Sequence, residues 1–312
     1  MPKTAILLLA LAVIAADDVI AQVDTQNPKT ARDYYERGSK HENAKRYDEA
    51  LADYRKAGDL DPQFFDAHFS RSSLCAEMKD YRGAITALTA SLKARSKDYS
   101  ALFNRGLYHQ YQREYDDAVA DYSSALAEDA DFSHNGSSTE ECRAHAHHYR
   151  GRVYQWFKKD DAKAIADYTE ALRLDPAIEM VLYRRGQAYH RIKEYAKAHT
   201  DFEQAVKQDP AYPNLLNSWA WQLATCPNAK YRNGSLALRL AKKTKHLDTL
   251  AAAYAETGEF DDAVAAQRRS IEQLNRQPEP KTPKSVERRK ELKAELQTRL
   301  AAYEAKRPYR AK

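Results

Sequence analysis

A short phrase recurs in this chain and limits what it can fold into. Arg37-Gly38 is followed by Ala50, Asp53 and Tyr54, and Arg105-Gly106 by Ala118, Asp121 and Tyr122. Arg150-Gly151 leads to Ala164, Asp167 and Tyr168, and Arg185-Gly186 to Ala198, Asp201 and Phe202. The first two copies lie 68 residues apart, twice 34, with a weaker copy between them. A sequence that repeats at such a period stacks similar units side by side, each burying its apolar face on its neighbours.

Each unit reads as two helices. Only 9 Gly and 11 Pro occur in 312 residues, while Ala, Leu, Lys and Arg, all helix formers, abound. Aligned on the small residues where two helices cross, the repeats cover 31–64, 65–98, 99–132, 144–178 and 179–212, the fourth being one residue longer than the others. Repeat 1 has Tyr34 at position 4, Gly38 at 8, Ala50 at 20, Tyr54 at 24, Ala57 at 27 and Pro62 at 32. Repeat 5 has Leu182, Gly186, Ala198, Phe202, Ala205 and Pro210 at those positions. Small residues let two backbones approach, the aromatic fills the space beside them, and Pro ends the second helix. Repeat 2 is weaker, with Ser72, Leu88 and Ser96 in place of the Gly, the aromatic and the Pro.

These positions resemble the tetratricopeptide repeat, TPR, over about residues 31–277. The resemblance implies an all-α fold, a superhelix or α-solenoid of antiparallel helix pairs. Beyond residue 212 the pattern diverges, and 213–277 is expected to hold two irregular repeats. Trp219 to Pro227 reads as a helix ended by Pro, 230–233 as a loop and Ser235 to Lys245 as a short helix. No turn is visible between Lys245 and Leu247. Residues 133–143 form a polar insertion with an Asn-Gly turn signal, expected to be a loop. Residues 278–283 are a Pro-rich linker. Thr282 and Pro283 suit the cap and first residue of a last helix over 284–305, which carries Leu292, Leu296 and Leu300 on one stripe and closes the array. The basic tail 306–312 is expected to fray.

The other end carries an address. Lys3 precedes an apolar run of 11 residues from Ile6 to Ala16, and Val19-Ile20-Ala21 offers small-residue cleavage before Gln22. We read 1–21 as a secretory signal and 22–30 as a flexible lead, which implies an exported protein, periplasmic or secreted. The apolar run is too short to span a bilayer, so no stable membrane span is expected after cleavage. Three Cys (Cys75, Cys142, Cys226) give no disulfide framework. The divergent repeats over 213–277 resemble a C-terminal pair found in many bacterial TPR proteins, and if the chain is bacterial the sequons at Asn135 and Asn233 carry no meaning.

Two sets of residues stand beside the architectural positions. Arg occupies position 7 in all five repeats, and Asp position 23 in most, so Arg37–Asp53, Arg105–Asp121, Arg150–Asp167 and Arg185–Asp201 are expected to pair across the two helices of one repeat. Repeat 2 has Ala87 at position 23, which leaves Arg71 to Asp66 or Glu77. The competing reading is solvated charge worth little. In TPR proteins position 5 faces the concave groove, here Tyr35, Phe69, Phe103, His148 and Tyr183. Gln110, Tyr111, Arg152, Trp156, Gln187 and His190 extend that line. An extended peptide or a helix suits such a surface, since aromatic and Arg anchors carry binding energy. Part of the line also follows from Tyr being common at position 5.

Other functions find little support. The clamp that some TPR proteins use for a terminal carboxylate needs Lys, Arg and Asn where this chain has Arg32, Tyr35, Ser39, Asp66 and Ser70. Cys142, His145, His147 and His148, with His134 nearby, resemble loose metal ligands without paired spacing, so an accessory or metal-binding role for 142–148 is the alternative. No phosphate loop or nucleophile elbow points to an enzyme, and no cofactor or metal is expected. A net charge of +5 from 50 basic and 45 acidic residues does not imply nucleic acid. The basic last helix, with Lys284, Arg288, Arg289, Lys290 and Lys293, reads as a solvated face. The expected partner is a protein or peptide.

Overall fold

The computed structural model describes residues 26–127, 129–132 and 138–311. The secretory signal read over 1–21, His134 and Asn135-Gly136 lie outside the described residues. All regular structure among the described residues is helical, apart from one isolated bridge between Asp98 and Asp131. No described helix is long and apolar enough to cross a membrane. The chain divides into two compact units, at Val153.

Unit 1 contains α1 (Ala31–Asn43), α2 (Tyr47–Leu60), α3 (Phe65–Glu77), α4 (Tyr81–Ala94), α5 (Tyr99–Gln112), α6 (Tyr115–Ala125) and α7 (Thr139–Val153). Consecutive helices pack on one another throughout, α1 on α2, α2 on α3 and onward to α6 on α7. Thr30 caps α1 in a reciprocal box with Asp33. Inside the pairs, Ala50, Ala84 and Ala118 are fully buried, as are Tyr54, Leu88 and Tyr122. Gly38 and Gly106 are required there. A Cβ on Gly38 would lie 2.9 Å from the Tyr54 ring, and one on Gly106 3.0 Å from Tyr122.

Unit 2 starts with a π-helical turn, Tyr154–Lys158, and continues through α8 (Asp161–Leu174), α9 (Val181–Arg191), α10 (Tyr195–Gln208), α11 (Pro213–Thr225), a 3₁₀ turn at Ala229–Tyr231, α12 (Gly234–Ala241), α13 (Leu247–Thr257), α14 (Phe260–Asn275) and α15 (Pro283–Glu304). Its main core joins Leu182, Phe202, Leu216, Trp219, Leu223 and Leu240 from α9 to α12. A second, under α15, is small-residue rich: Ala251, Ala255, Ala263 and Ala266 surround the fully buried Tyr303. Thr282 caps α15 and Pro283 takes its first turn.

The turns within pairs share one device. Lys45, Lys79, Arg113, Lys159 and Lys193 all sit in the left-handed region, with φ between 58° and 66°. After α1 the Lys45 N–H bonds Glu42 O and the Arg46 N–H bonds His41 O, and the same pattern closes α3, α5 and α9. That is the Schellman arrangement, which usually has Gly where these basic residues stand.

Three expectations are corrected. The insertion 133–143 is not all loop: α7 begins at Thr139. Its first turn is held by Ser138, whose Oγ accepts from the Glu141 N–H while Glu141 accepts from the Ser138 N–H; the Ser-x-x-Glu box was there to be seen. The helix read to Lys245 ends at Ala241, and a turn separates it from Leu247. Tight bonds from Lys243 N to Leu240 O and Thr244 N to Ala241 O end it. The C-terminal tail is docked rather than frayed. The Arg310 guanidinium lies 2.6 Å from Glu256 Oε2, the Ala311 N–H donates to Thr225 O, and the Tyr309 ring packs 6.0 Å from Trp221.

Candidate functional site

Beside the helix-crossing positions, polar side chains form two layers. In the first, the Arg37 guanidinium donates from Nε and Nη2 to both oxygens of Asp53, at 2.8 and 2.6 Å. Arg105 grips Asp121 at 2.9 and 2.6 Å, and Arg185 grips Asp201 at 2.9 and 2.8 Å. The carboxylates are buried and the guanidinium groups half-buried. These bonds push the Arg37 and Arg185 pKa values further up. Arg150 and Asp167 fall on either side of the division between the units.

Three of the Arg side chains have a second grip that the spacing did not suggest. Arg105 Nη1 donates to Thr89 Oγ1, Arg150 Nη1 to Ser123 Oγ and Arg185 Nη1 to Thr169 Oγ1. Those hydroxyls stand on the preceding repeat, one residue after its position-24 side chain. The ladder therefore ties neighbouring repeats as well as paired helices. Arg71 makes neither expected ion pair: Glu77 instead accepts from the Tyr47 hydroxyl. Its repeat offers Ala87 for Asp, and the preceding one offers Arg55 for the hydroxyl residue, so both grips are lost.

In the second layer the position-24 hydroxyl reaches back to position 12. Tyr54 donates to Glu42 at 2.5 Å, Tyr122 to Gln110 at 3.4 Å and Tyr168 to the buried Gln155 at 2.9 Å. Burial raises the Tyr54 and Tyr122 pKa values, and the Glu42 carboxylate adds to it at Tyr54. Where position 24 is apolar, as at Leu88, position 12 is Ala76. Comparing the two positions across repeats would have found this layer.

The aromatic line is more interior than exposed. Tyr35 packs between Tyr54 and Phe64, and Phe69 stacks on Phe65. Phe103 touches Tyr99, Tyr122 and Tyr149 at 5.1–5.6 Å. His148 is buried. Tyr183, 9% exposed, has its hydroxyl between Ser218 Oγ (3.0 Å) and Gln187 Nε2 (2.7 Å). Position-5 rings thus join helices. Outward surface comes from Tyr111, 56% exposed and stacked on Tyr81, and Trp156, 39% exposed with Arg191 over its ring. Arg152 lies over Tyr149.

Each unit carries an open cleft on the first helices of successive pairs. In unit 1, α5 and α7 enclose about 340 Å³ lined by Ser100, Phe103, Asn104, His145 and Tyr149. In unit 2, α9, α11 and α13 enclose about 350 Å³, with α15 at the rim; Gln187, His190, Asn217, Trp221, Asp248 and Arg299 line it. Asn217, Trp221, Asp248 and Arg299 lie beyond the regular repeats, where no periodic position marked them. The His-rich segment does not converge: Cys142 and His148 are buried while His145 faces solvent. Among the described residues the one group with ligand atoms close enough for a metal is His109, Glu114 and Asp117, where His109 Nδ1 already meets Glu114 at 2.6 Å.

Tetratricopeptide repeat models match residues 31–64, 76–131, 144–178 and 180–212. The chain belongs to the tetratricopeptide repeat family. It is 27% identical to the Hsp70-Hsp90 organising protein of Plasmodium falciparum (isolate 3D7) over 44% of this chain and 28% of that protein, so it spans little over a quarter of that relative's length. Among solved structures, a tetratricopeptide repeat protein from Parabacteroides merdae superposes over 85% of this chain and 98% of its own at 13% identity, with a TM-score of 0.54. YrrB, described as a TPR protein with an unusual peptide-binding site, matches 60% of this chain and 91% of its own at 17% identity and TM-score 0.51. Pseudomonas aeruginosa PilF matches 77% and 97% at 20% identity and TM-score 0.50. These likenesses show the fold.

Proposed function

We propose that this chain is a non-catalytic binding module that captures an extended segment of a partner protein on the first helices of its repeats. The observation that carries this is the pair of clefts: each unit opens between first helices and lines that opening with mixed aromatic and amide side chains. Neutral polar groups around aromatic faces suit peptides better than ions. The peptide-binding site named for YrrB and the partner proteins named for the Plasmodium relative agree with this reading. The apolar run at Ile6–Ala16, read as a secretory signal, supports a module that works in a periplasm or beyond the cell.

The test is capture from a display library of random peptides by the immobilised protein. Replacing Asn104 and Asn217 with Ala, one in each cleft, is expected to weaken capture while leaving the helical circular dichroism unchanged. Recovery of no peptide by the parent protein would sink the proposal.

A further inference from the structure

We propose that the unit 2 cleft grips an internal peptide segment by its main-chain amides, and does not hold a terminal carboxylate. This rests on the peptide-capture reading above and specifies what the cleft recognises.

Four polar atoms on the cleft-lining residues have no hydrogen-bond partner in the protein and are shielded from solvent: Gln187 Oε1, His190 Nε2, Asn217 Oδ1 and Arg299 Nε. A buried polar group left unpaired has lost its hydration without a replacement bond. The deficit at His190 has a cause in the sequence. In the repeats with Tyr54, Tyr122 and Tyr168 the ring hydroxyl bonds the position-12 side chain. In this repeat the aromatic is Phe202, which has no hydroxyl, so position 12, His190, is left over. Burial, with Arg191 adding to it, lowers the His190 pKa and keeps the ring neutral.

Around the cleft, two guanidinium groups stand against three carboxylates. Arg191 donates from Nε and Nη2 to Asp161 at 2.5–3.1 Å. Arg299 lies 3.4 Å from both Asp248 and Glu295 and is held over the Trp221 and Tyr309 rings, at 4.5 and 5.2 Å. A carboxylate entering here meets two guanidinium groups already facing three carboxylates. Besides Arg299 Nε, the unpaired groups are neutral: a primary amide on α9, another on α11 and an imidazole, beside an indole face. A peptide main chain offers alternating N–H and C=O groups to match. The side-chain amides turn on broad two-fold torsions, so each can present oxygen or nitrogen to the cleft.

The experiment uses the full chain and synthetic peptides taken from display selection, each made with a free C-terminus, with an amidated C-terminus and with N-methylated backbone amides. The amidated form is expected to bind within about twofold of the free acid, while N-methylation and Asn217→Leu each weaken binding by about tenfold or more, the loss of a hydrogen-bonded amide. Phe202→Tyr supplies the missing hydroxyl to His190, so it is expected to weaken binding while holding or raising the melting temperature. Asn217→Asp serves if Asn217→Leu misfolds, and is expected to weaken binding equally. Binding that requires the free carboxylate overturns the proposal, as does unchanged affinity in Asn217→Leu (or Asn217→Asp) and Phe202→Tyr. Selection of no peptide at all overturns the capture reading with it, so the two failures are told apart.

Discussion

At the residue scale, the repeated Arg is the side chain that does most to order the array. Two bonds to a buried Asp and one to a hydroxyl on the neighbouring repeat make Arg105 a three-way tie. Exposed ion pairs are worth at most about 1 kcal/mol and broken buried ones cost 3–5. Half-buried Arg105 lies between, so Arg105→Ala should cost about 2–3 kcal/mol, and Arg71→Ala, which breaks no such tie, less than about 0.5. Urea melts of both variants check this, and equal losses would refute the ladder. The Arg–Asp part of this was legible in the sequence because both residues recur in register. The hydroxyl part was not, since Thr89, Ser123 and Thr169 are ordinary helix-surface residues until the partner helix is in place. Position 5 misled for a related reason. Rings such as Tyr183 have faces wide enough to fill the gap between helices, and burying one is worth about 2–3 kcal/mol, so packing takes them before a ligand can.

At the scale of the element, the extra residue of the fourth repeat has a physical address. Arg and Asp are 16 apart in repeats 1, 3 and 5 but 17 in the fourth, and position 12 to position 24 stretches from 12 to 13. The left-handed turn residue, Lys159, is displaced with them. The surplus therefore falls just after Gln155, inside the π-helical turn Tyr154–Lys158, which widens to absorb it. Gln155 keeps its buried bond to Tyr168, and the turn pushes Trp156 and Phe157 outward. Deleting Phe157 should restore a regular helix and leave a folded protein that melts no lower than the parent; an unfolded product would show that the wide turn is needed. The turns within pairs offer a simpler test. Lys79 holds φ 63° without the freedom of glycine, so Lys79→Gly should stabilise by about 0.5–1 kcal/mol, read from the denaturation midpoint.

At the scale of the whole molecule, closure comes from residues that periodicity does not mark, and the pH response from two histidines inside the repeats. The tail returns onto unit 2 through Tyr309, Arg310 and Ala311, and Glu256 takes both Arg310 and Arg232. Truncation after Lys306 should lower the melting temperature by about 2–4 °C for each kcal/mol lost. The pH response follows from two histidines. His68 in unit 1 and His190 in unit 2 have pKa values lowered by burial, with Arg71 and Arg191 acting in the same direction; at His68 a Pro62 carbonyl 3.3 Å away opposes the shift. Both favour the neutral ring in the fold, while the unfolded chain takes up its protons at about pH 6.5. Below that pH the unfolded state binds more protons than the native one, so stability falls as pH falls through the depressed native values. The melting temperature should be flat above about pH 7 and decline from about 6.5 to 5, a range in which unperturbed carboxylates stay ionised. His190→Gln and His68→Gln together should flatten that decline. A decline of the same slope in the double variant would assign the acid sensitivity to other groups.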